Sequence, residues 1–297
     1  MRFCVACGVE TQGRALFQLQ RQVLRCGRCG LVFADPEGAP AYDYPESYYR
    51  GLVYADYLAD RPTIRRNAQR SLAELESLVS GRRLLDVGCA AGFFLEVARE
   101  RGWNVCGLEV SAYAAAIARD QLGLPVLQGS IVAPPEGLDR FDVVTLWDAI
   151  EHLDRPDLAL GHIRERLQEG GLLVLTTGDH GSLLRRITGR RWRLFGDPSH
   201  NFFFDRVTLR ALLERTGFDP ISFSNRGKWV SLAMGLHQSG LPLAGHLRDW
   251  FVTRGWELGL YVNLWDVMTV FARPRPRSGS PAPAPASPGG SPAASLE

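Results

Sequence analysis

The run Arg83-Leu84-Leu85-Asp86-Val87-Gly88-Cys89-Ala90-Ala91-Gly92-Phe93-Phe94-Leu95 constrains this chain more than any other segment. A short apolar stretch carrying Asp86 leads into a turn of small residues, and a second apolar stretch opens directly behind Gly92. The spacing predicts a strand, a tight turn and the start of a helix. Such a turn lets a ligand press against backbone amides at a helix N-terminus, where an anionic group is favoured. Glycine placed only for packing is the competing reading of any single turn of this kind. Glu109 favours the ligand site: it lies seventeen residues past Gly92, at the end of the next strand-like stretch. An acid there can accept hydrogen bonds from ribose hydroxyls. The glycine spacing differs from the G-x-G-x-x-G dinucleotide fingerprint, which disfavours NAD.

From about residue 64 to 272 strand-like and helix-like patterns alternate, which argues for a parallel sheet covered by helices. Strand signals are LLDV, NVCGLEV, PVLQ, FDVVTLW and LLVLTT, with a late pair near DPISFS and DVMTVFA. Helix signals are Ala68, Leu72, Leu75, Leu78 and Val79 at helical spacing, Ser111 as a cap before AYAAAIARDQL, and Asp205 as a cap before RVTLRALLERTGF.

The DVGCAAG turn with its downstream acid resembles the class I S-adenosylmethionine-dependent methyltransferases, whose first strand ends in an acid followed by G-x-G-x-G. Ala90 here stands where the middle glycine would be. The resemblance implies an α/β, Rossmann-like fold with a seven-stranded, mostly parallel sheet and helices on both faces. It also implies that Asp86 lies near the amino-acid end of the cofactor, that Gly88, Cys89, Ala90, Gly92 and Phe93 line the binding turn, and that Glu109, with Val110 beside it, holds the ribose. Gly129 and Ser130, after the third strand, fall near the adenine, and Trp147 and Asp148 close the fourth strand beside the cofactor.

Polar residues at the carboxyl end of a buried strand stand at the mouth of an α/β sheet, where ligands bind. The fourth strand FDVVTLW runs into Asp148-Ala149-Ile150-Glu151-His152, a pattern resembling a methyltransferase subgroup that acts on small molecules. The plainer alternative is a helix start in which Asp148 caps the turn. Further on, His200-Asn201-Phe202-Phe203-Phe204-Asp205 precedes a helix. In the resembling family a histidine followed by aromatics at this point lies on the substrate side, making His200 the first candidate for a general base. His152 and His180 are the other candidates, and the three phenylalanines are expected to seal the pocket.

Cys4-Val5-Ala6-Cys7-Gly8 and Cys26-Gly27-Arg28-Cys29-Gly30 form two C-x-x-C knuckles with 18 residues between them. That spacing suits a structural zinc ribbon, and four thiolates leave no open position for activated water. Redox-active pairs are the alternative. A segment this short has no adequate core without a metal. The CxxCG…CxxCG-LVF-x-DP opening, a Tyr-rich stretch and the following domain together resemble bacterial enzymes that methylate sugars or natural-product intermediates, over about residues 1 to 272.

The expected organisation is therefore a ribbon (1–36), a Tyr/Pro-rich linker (37–63), the methyltransferase domain (64–272) and a disordered Pro/Ala/Ser tail (273–297), in which seven of the last 24 residues are proline. Lys plus Arg total 34 against 32 acids, so a net charge of +2 sets up no field that would gather a polyanion. Nucleic acid is not implied. The opening MRFCVACG has no apolar leader core, and the most apolar later stretch, Trp229 to Leu247, is broken by His237, Gln238 and Pro242. A cytoplasmic protein with reduced thiols and no membrane span is expected. The leading function is methyl transfer from S-adenosylmethionine to a small-molecule or glycan acceptor, with structural Zn²⁺. An RNA base methyltransferase, using Arg185-Arg186 and Arg190-Arg191-Trp192-Arg193, and a non-catalytic ribbon protein on the same fold are the alternatives.

Overall fold

The computed structural model describes residues 2–37, 43–54, 56–239 and 259–276. Seven strands build the central sheet: β1 (Arg83–Val87), β2 (Asn104–Glu109), β3 (Val126–Gln128), β4 (Phe141–Trp147), β5 (Leu167–Gly178), β6 (Phe218–Ser224) and β7 (Val267–Pro274). Their order is β3-β2-β1-β4-β5-β7-β6. The strands from β3 to β5 pair in parallel, and β7 is antiparallel to both β5 and β6. Only β7 is reversed, so the sheet is mostly parallel, as the resemblance implied.

The strand sequences dictate the two covered faces. Side chains alternate across a strand, and the buried residues separate accordingly. Leu85, Val87, Val144, Leu146, Leu173 and Leu175 join one cluster, whereas Leu84, Val143, Leu172 and Val174 join the other. Apolar residues at consecutive positions are the mark of a strand buried on both sides. The first face is covered by α4 (Pro156–Arg166) and α6 (Arg206–Arg215), and the second by α1 (Arg61–Leu78), α2 (Phe93–Glu100) and α3 (Ala112–Ala116). Short α5 (Leu183–Thr188) follows β5, and α7 (Leu232–Ser239) follows a hairpin strand, Lys228–Ser231, that pairs with Gly259–Val262. Both anticipated caps form. Ser111 Oγ accepts from Ala114 N, and Asp205 accepts from Thr208 N while Thr208 Oγ1 is engaged by Asp205 N, a reciprocal capping box.

The cysteine-rich segment forms antiparallel strands at Arg14–Gln18, Gln22–Arg25 and Val32–Ala34. A fourth strand completes this small sheet, and it is Phe202–Phe203 from the main body, in register with Phe33 and Val32. Phe202 and Phe203 belong to that sheet, with Phe203 lining a small cavity beside His200, and Phe204 is fully buried in the core. At the other end β7 continues two residues beyond 272; the rest of the expected tail, from 277, lies outside the described residues. Among the described residues no helix is long and apolar enough to cross a membrane.

Candidate functional site

The carboxyl ends of β1 and β2 meet at the glycine-rich turn. Gly88, Ala90 and Gly92 all take positive φ, at 74°, 47° and 81°. For alanine that conformation costs roughly 1–2 kcal/mol, and Glu109 shows what holds it: one carboxylate oxygen accepts from Ala90 N and the other from Ser111 N, each at 2.8 Å. Burial pushes the Glu109 carboxyl up, against the amides of Ser111, Ala90 and Val110 that favour its charge. Gly129 N donates to Glu109 O, tying in the end of β3, where Ser130 Oγ accepts from Val132 N. Asp86 is buried and receives Thr145 Oγ1 at 2.7 Å, and burial pushes its carboxyl up to about 7. Cys89 is also buried, whereas Val110 is exposed. Trp147 packs on Phe94, with its indole Nε1 buried and unpartnered.

Gly92 is the least replaceable residue of this turn. Beyond its positive φ, a Cβ there would lie 2.6 Å from Leu124 Cδ1 and 3.1 Å from Ala118 Cβ. Gly92→Ala is expected to destabilise the protein by roughly 1–3 kcal/mol, read as a lower urea midpoint; an unchanged midpoint would mean that the turn relaxes freely.

The Tyr-rich stretch, expected as a linker, packs over the turn. Tyr57 stacks on Phe93, Tyr49 meets Tyr113, and Ser111 Oγ donates to Tyr44 O. Tyr48 and Tyr49 are buried. Burial, and behind it the charges of Asp148 and Asp197, push the Tyr54 phenol up.

Beyond β4 the groups change character. Asp148 adopts φ 50° and does not cap the following turn. Its Oδ1 accepts from Thr176 Oγ1 at 2.8 Å and its Oδ2 lies 3.1 Å from Lys228 Nζ. Burial opposes the Asp148 charge, but Lys228 and Thr176 hold the carboxyl down at about 2. Glu151 is buried with Oε2 unpartnered, and burial with the nearby Asp148 charge pushes its carboxyl up to about 8.

His152 and His200 face each other with ring centroids 4.6 Å apart. Ser199 Oγ lies 2.9 Å from His152 Nδ1 and donates to Asp197 Oδ1 at 2.5 Å. The hydroxyl has one proton and the carboxylate takes it, so His152 Nδ1 is the donor to Ser199 and its Nε2 is left bare. Burial and then His200 push His152 down to about 4. His200 Nδ1 donates to Leu194 O at 2.8 Å, its Nε2 lies 3.7 Å from Asp197 Oδ2, and burial lowers it as well. Burial works against the Asp197 charge, but His200, His152 and the Ser199 hydrogen bonds keep its carboxyl below the usual carboxylate range. One donor atom from each of Glu151, His152 and His200 lies within 4.8 Å of the others, a grouping that could hold a cation. His180 stands apart, packed on Trp192 and Phe195, where burial and Arg185 push it down to about 4.

The four ribbon thiols converge, with Cys4 Sγ 3.5 Å from Cys29 Sγ and Cys7 Sγ 3.9 Å from Cys26 Sγ. Gly8 and Gly30 take positive φ and donate to Cys4 O and Cys26 O, making the tight turns the knuckles require. Burial pushes the Cys4 thiol up to about 11. The ribbon also grips the histidine loop: Arg21 donates to His200 O, Pro198 O and Asn201 Oδ1, while Asn201 donates to Glu151 O and His152 O. These braces carry no local sequence signal. Lys228 was likewise not anticipated, although one signal existed: it is the only lysine in the chain.

Residues 57–222, more than half of the chain, match the family described as methyltransferase domain. The chain belongs to that family. A ubiquinone biosynthesis O-methyltransferase of Cereibacter sphaeroides is 31% identical over 152 residues, covering 48% of this chain and 62% of that protein. A mitochondrial protein of the same name from Schizosaccharomyces pombe is 34% identical over 116 residues, covering 37% and 42%. The match thus spans less than two thirds of these relatives. Among solved structures, a SAM-dependent methyltransferase from Archaeoglobus fulgidus superposes with a TM-score of 0.51 at 19% identity, over 76% of this chain and 96% of that one. The YcgJ protein of Bacillus subtilis gives 0.50 at 14% identity, over 71% and 100%. At such identities these two structures speak for the fold of the methyltransferase domain alone.

Proposed function

We propose that this methyltransferase domain binds S-adenosylmethionine at the glycine-rich turn and directs methyl transfer to an oxygen of a small-molecule acceptor. The observation that carries this reading is Glu109, a buried acid whose carboxylate ties the turn to the end of β2. The donor set fits the cofactor. Three left-handed positions open the turn, Asp86 and Glu109 supply acceptors, and Trp147 Nε1 lacks a partner. When bound, S-adenosylmethionine supplies a methyl group on a sulfonium leaving group, so the protein contributes mainly placement and exclusion of water. The Tyr stretch packed over the turn suits that exclusion. Deprotonating a hydroxyl is the one step that needs a side chain, and His152 is placed for it by Ser199 and Asp197.

The names of the ubiquinone-biosynthesis relatives support an oxygen on a small molecule as the methylated atom. An RNA acceptor is less well supported, because Arg193 of the basic patch is spent on Asp266 and Arg185 is partly buried. The four cysteines suit structural zinc. Tetrahedral coordination with Zn–S bonds of about 2.3 Å requires sulfurs about 3.8 Å apart, close to the separations found here.

Glu109→Gln is expected to weaken S-adenosylmethionine binding by roughly 1–3 kcal/mol, about five- to 150-fold, because a charge-assisted acceptor becomes a neutral one. Calorimetric titration of both proteins decides this. Equal affinity would move the ribose contact away from Glu109.

A further inference from the structure

Of the 34 side-chain cations that are Lys or Arg, 33 are arginine, and Lys228 is the exception. It lies at the carboxyl edge of the sheet, with its ammonium 3.1 Å from Asp148 Oδ2. Sheet order decides which half of the cleft it serves. The turn and Glu109 belong to β1 and β2, Asp148 follows β4, and Lys228 comes from the segment after β6, on the far side of Asp148 from the turn. With the cofactor at the turn, as proposed above, the Lys228 side of Asp148 is left for the acceptor.

Its backbone is fixed from both directions. Trp229 N donates to Asn67 Oδ1 and Asn67 Nδ2 donates to Trp229 O, both at 2.8 Å, while Arg70 donates to Gly227 O. Arg66 covers the Trp229 ring, and a Cβ on Gly227 would meet the Tyr261 ring at 2.6 Å. Helix α1 thus holds the lysine's neighbours in place while half of the Lys228 side chain stays exposed. An exposed ion pair adds little to folding, so stability does not explain the Lys228–Asp148 contact. The residue type fits the same role. An arginine would fork onto Asp148 with two parallel bonds, whereas an ammonium makes one contact and keeps two N–H donors for a ligand.

We propose that Lys228 is the acceptor-recognising cation of this site and binds an oxyanion, a carboxylate or a phosphate, carried by the acceptor. This rests on the methyltransferase reading above and narrows its substrate class to acidic small molecules. Asp148 orients the ammonium from one side, and the anion approaches from the other.

Having a single lysine makes the test direct. Isotope-labelled lysine incorporated during expression marks Lys228 alone and leaves all three of its N–H donors intact. In protein saturated with S-adenosylhomocysteine, inorganic phosphate or acetate is expected to shift the Lys228 signal saturably, while chloride at matched ionic strength does not. Whichever anion binds more tightly names the group. By calorimetry Lys228→Gln should lose that anion's binding by about tenfold or more, with Lys228→Arg retaining most of it. No saturable shift with either anion, or wild-type anion affinity in Lys228→Gln, overturns the proposal. So does a signal that moves with S-adenosylhomocysteine alone and with no added anion, since the lysine would then serve the cofactor's own carboxylate. Failure of S-adenosylhomocysteine to bind would instead overturn the cofactor reading, and the anion titration of the cofactor-free protein still judges Lys228.

Discussion

Cys26→Ser is expected to abolish zinc retention, sharply reduce the yield of folded protein, and lower the melting temperature of what survives by roughly 5–15 °C. The strands of the small sheet are two to five residues long and cannot sustain a core of their own. On the zinc reading proposed above, four thiols within ligand reach of one another add metal bonds to the apolar contacts the ribbon makes with the main body. The loss should not stay local. Phe202–Phe203 completes the ribbon's sheet and Arg21 holds three acceptors on the loop bearing His200, so a loosened ribbon releases the histidine loop as well. Folded variant protein is therefore expected to keep cofactor affinity better than turnover. Metal analysis of protein prepared without chelator checks the premise, and an absence of zinc, or a variant melting like the wild type, refutes it.

His152→Ala should lower the turnover rate by about 10² to 10⁴ with little change in cofactor affinity. Sequence position made His200 the first candidate, but exposure favours its neighbour. Both imidazoles donate through Nδ1, His200 to Leu194 O and His152 to Ser199, yet His200 is 7% exposed with Nε2 3.7 Å from Asp197 Oδ2, whereas His152 is less buried. Around His152 stand His200, Asp197, Asp148 and the Tyr44 ring, and burial with His200 outweighs the two acids and the Ser199 hydrogen bond to push it down to about 4. A base depressed in this way is unprotonated throughout the neutral range. The acid limb of the rate profile should thus appear near pH 4, with the rate rising through that pH and then levelling. His200→Asn should retain most of its activity and the same limb. If His200→Asn is inactive while His152→Ala survives, the two roles are exchanged.

The parts legible in the sequence were those that local physics dictates. Consecutive apolar residues in LLDV and LLVLTT announce strands buried on both faces, Ser111 and Asp205 announce caps, and paired CxxCG knuckles announce converging thiols. Residues brought together from distant segments were not legible. The Tyr stretch has linker-like composition, and nothing local shows that Tyr57 stacks on Phe93 or that Tyr44 O meets Ser111. The alternative reading of Asp148 as a helix cap fails because Thr176, 28 residues away, and Lys228, 80 residues away, hold it in a left-handed turn that no local pattern shows. No sequence pattern reveals that Phe202–Phe203 pairs with a strand about 170 residues earlier.

A crystal structure of the protein with S-adenosylhomocysteine tests the central claim most directly. The account predicts the ligand along the carboxyl ends of β1, β2 and β4, with its ribose hydroxyls on the Glu109 carboxylate and its sulfur turned toward Asp148 and the His152 side of the cleft. A ligand bound elsewhere, or a Glu109 carboxylate still closed on Ala90 and Ser111 with no ribose contact, would contradict it.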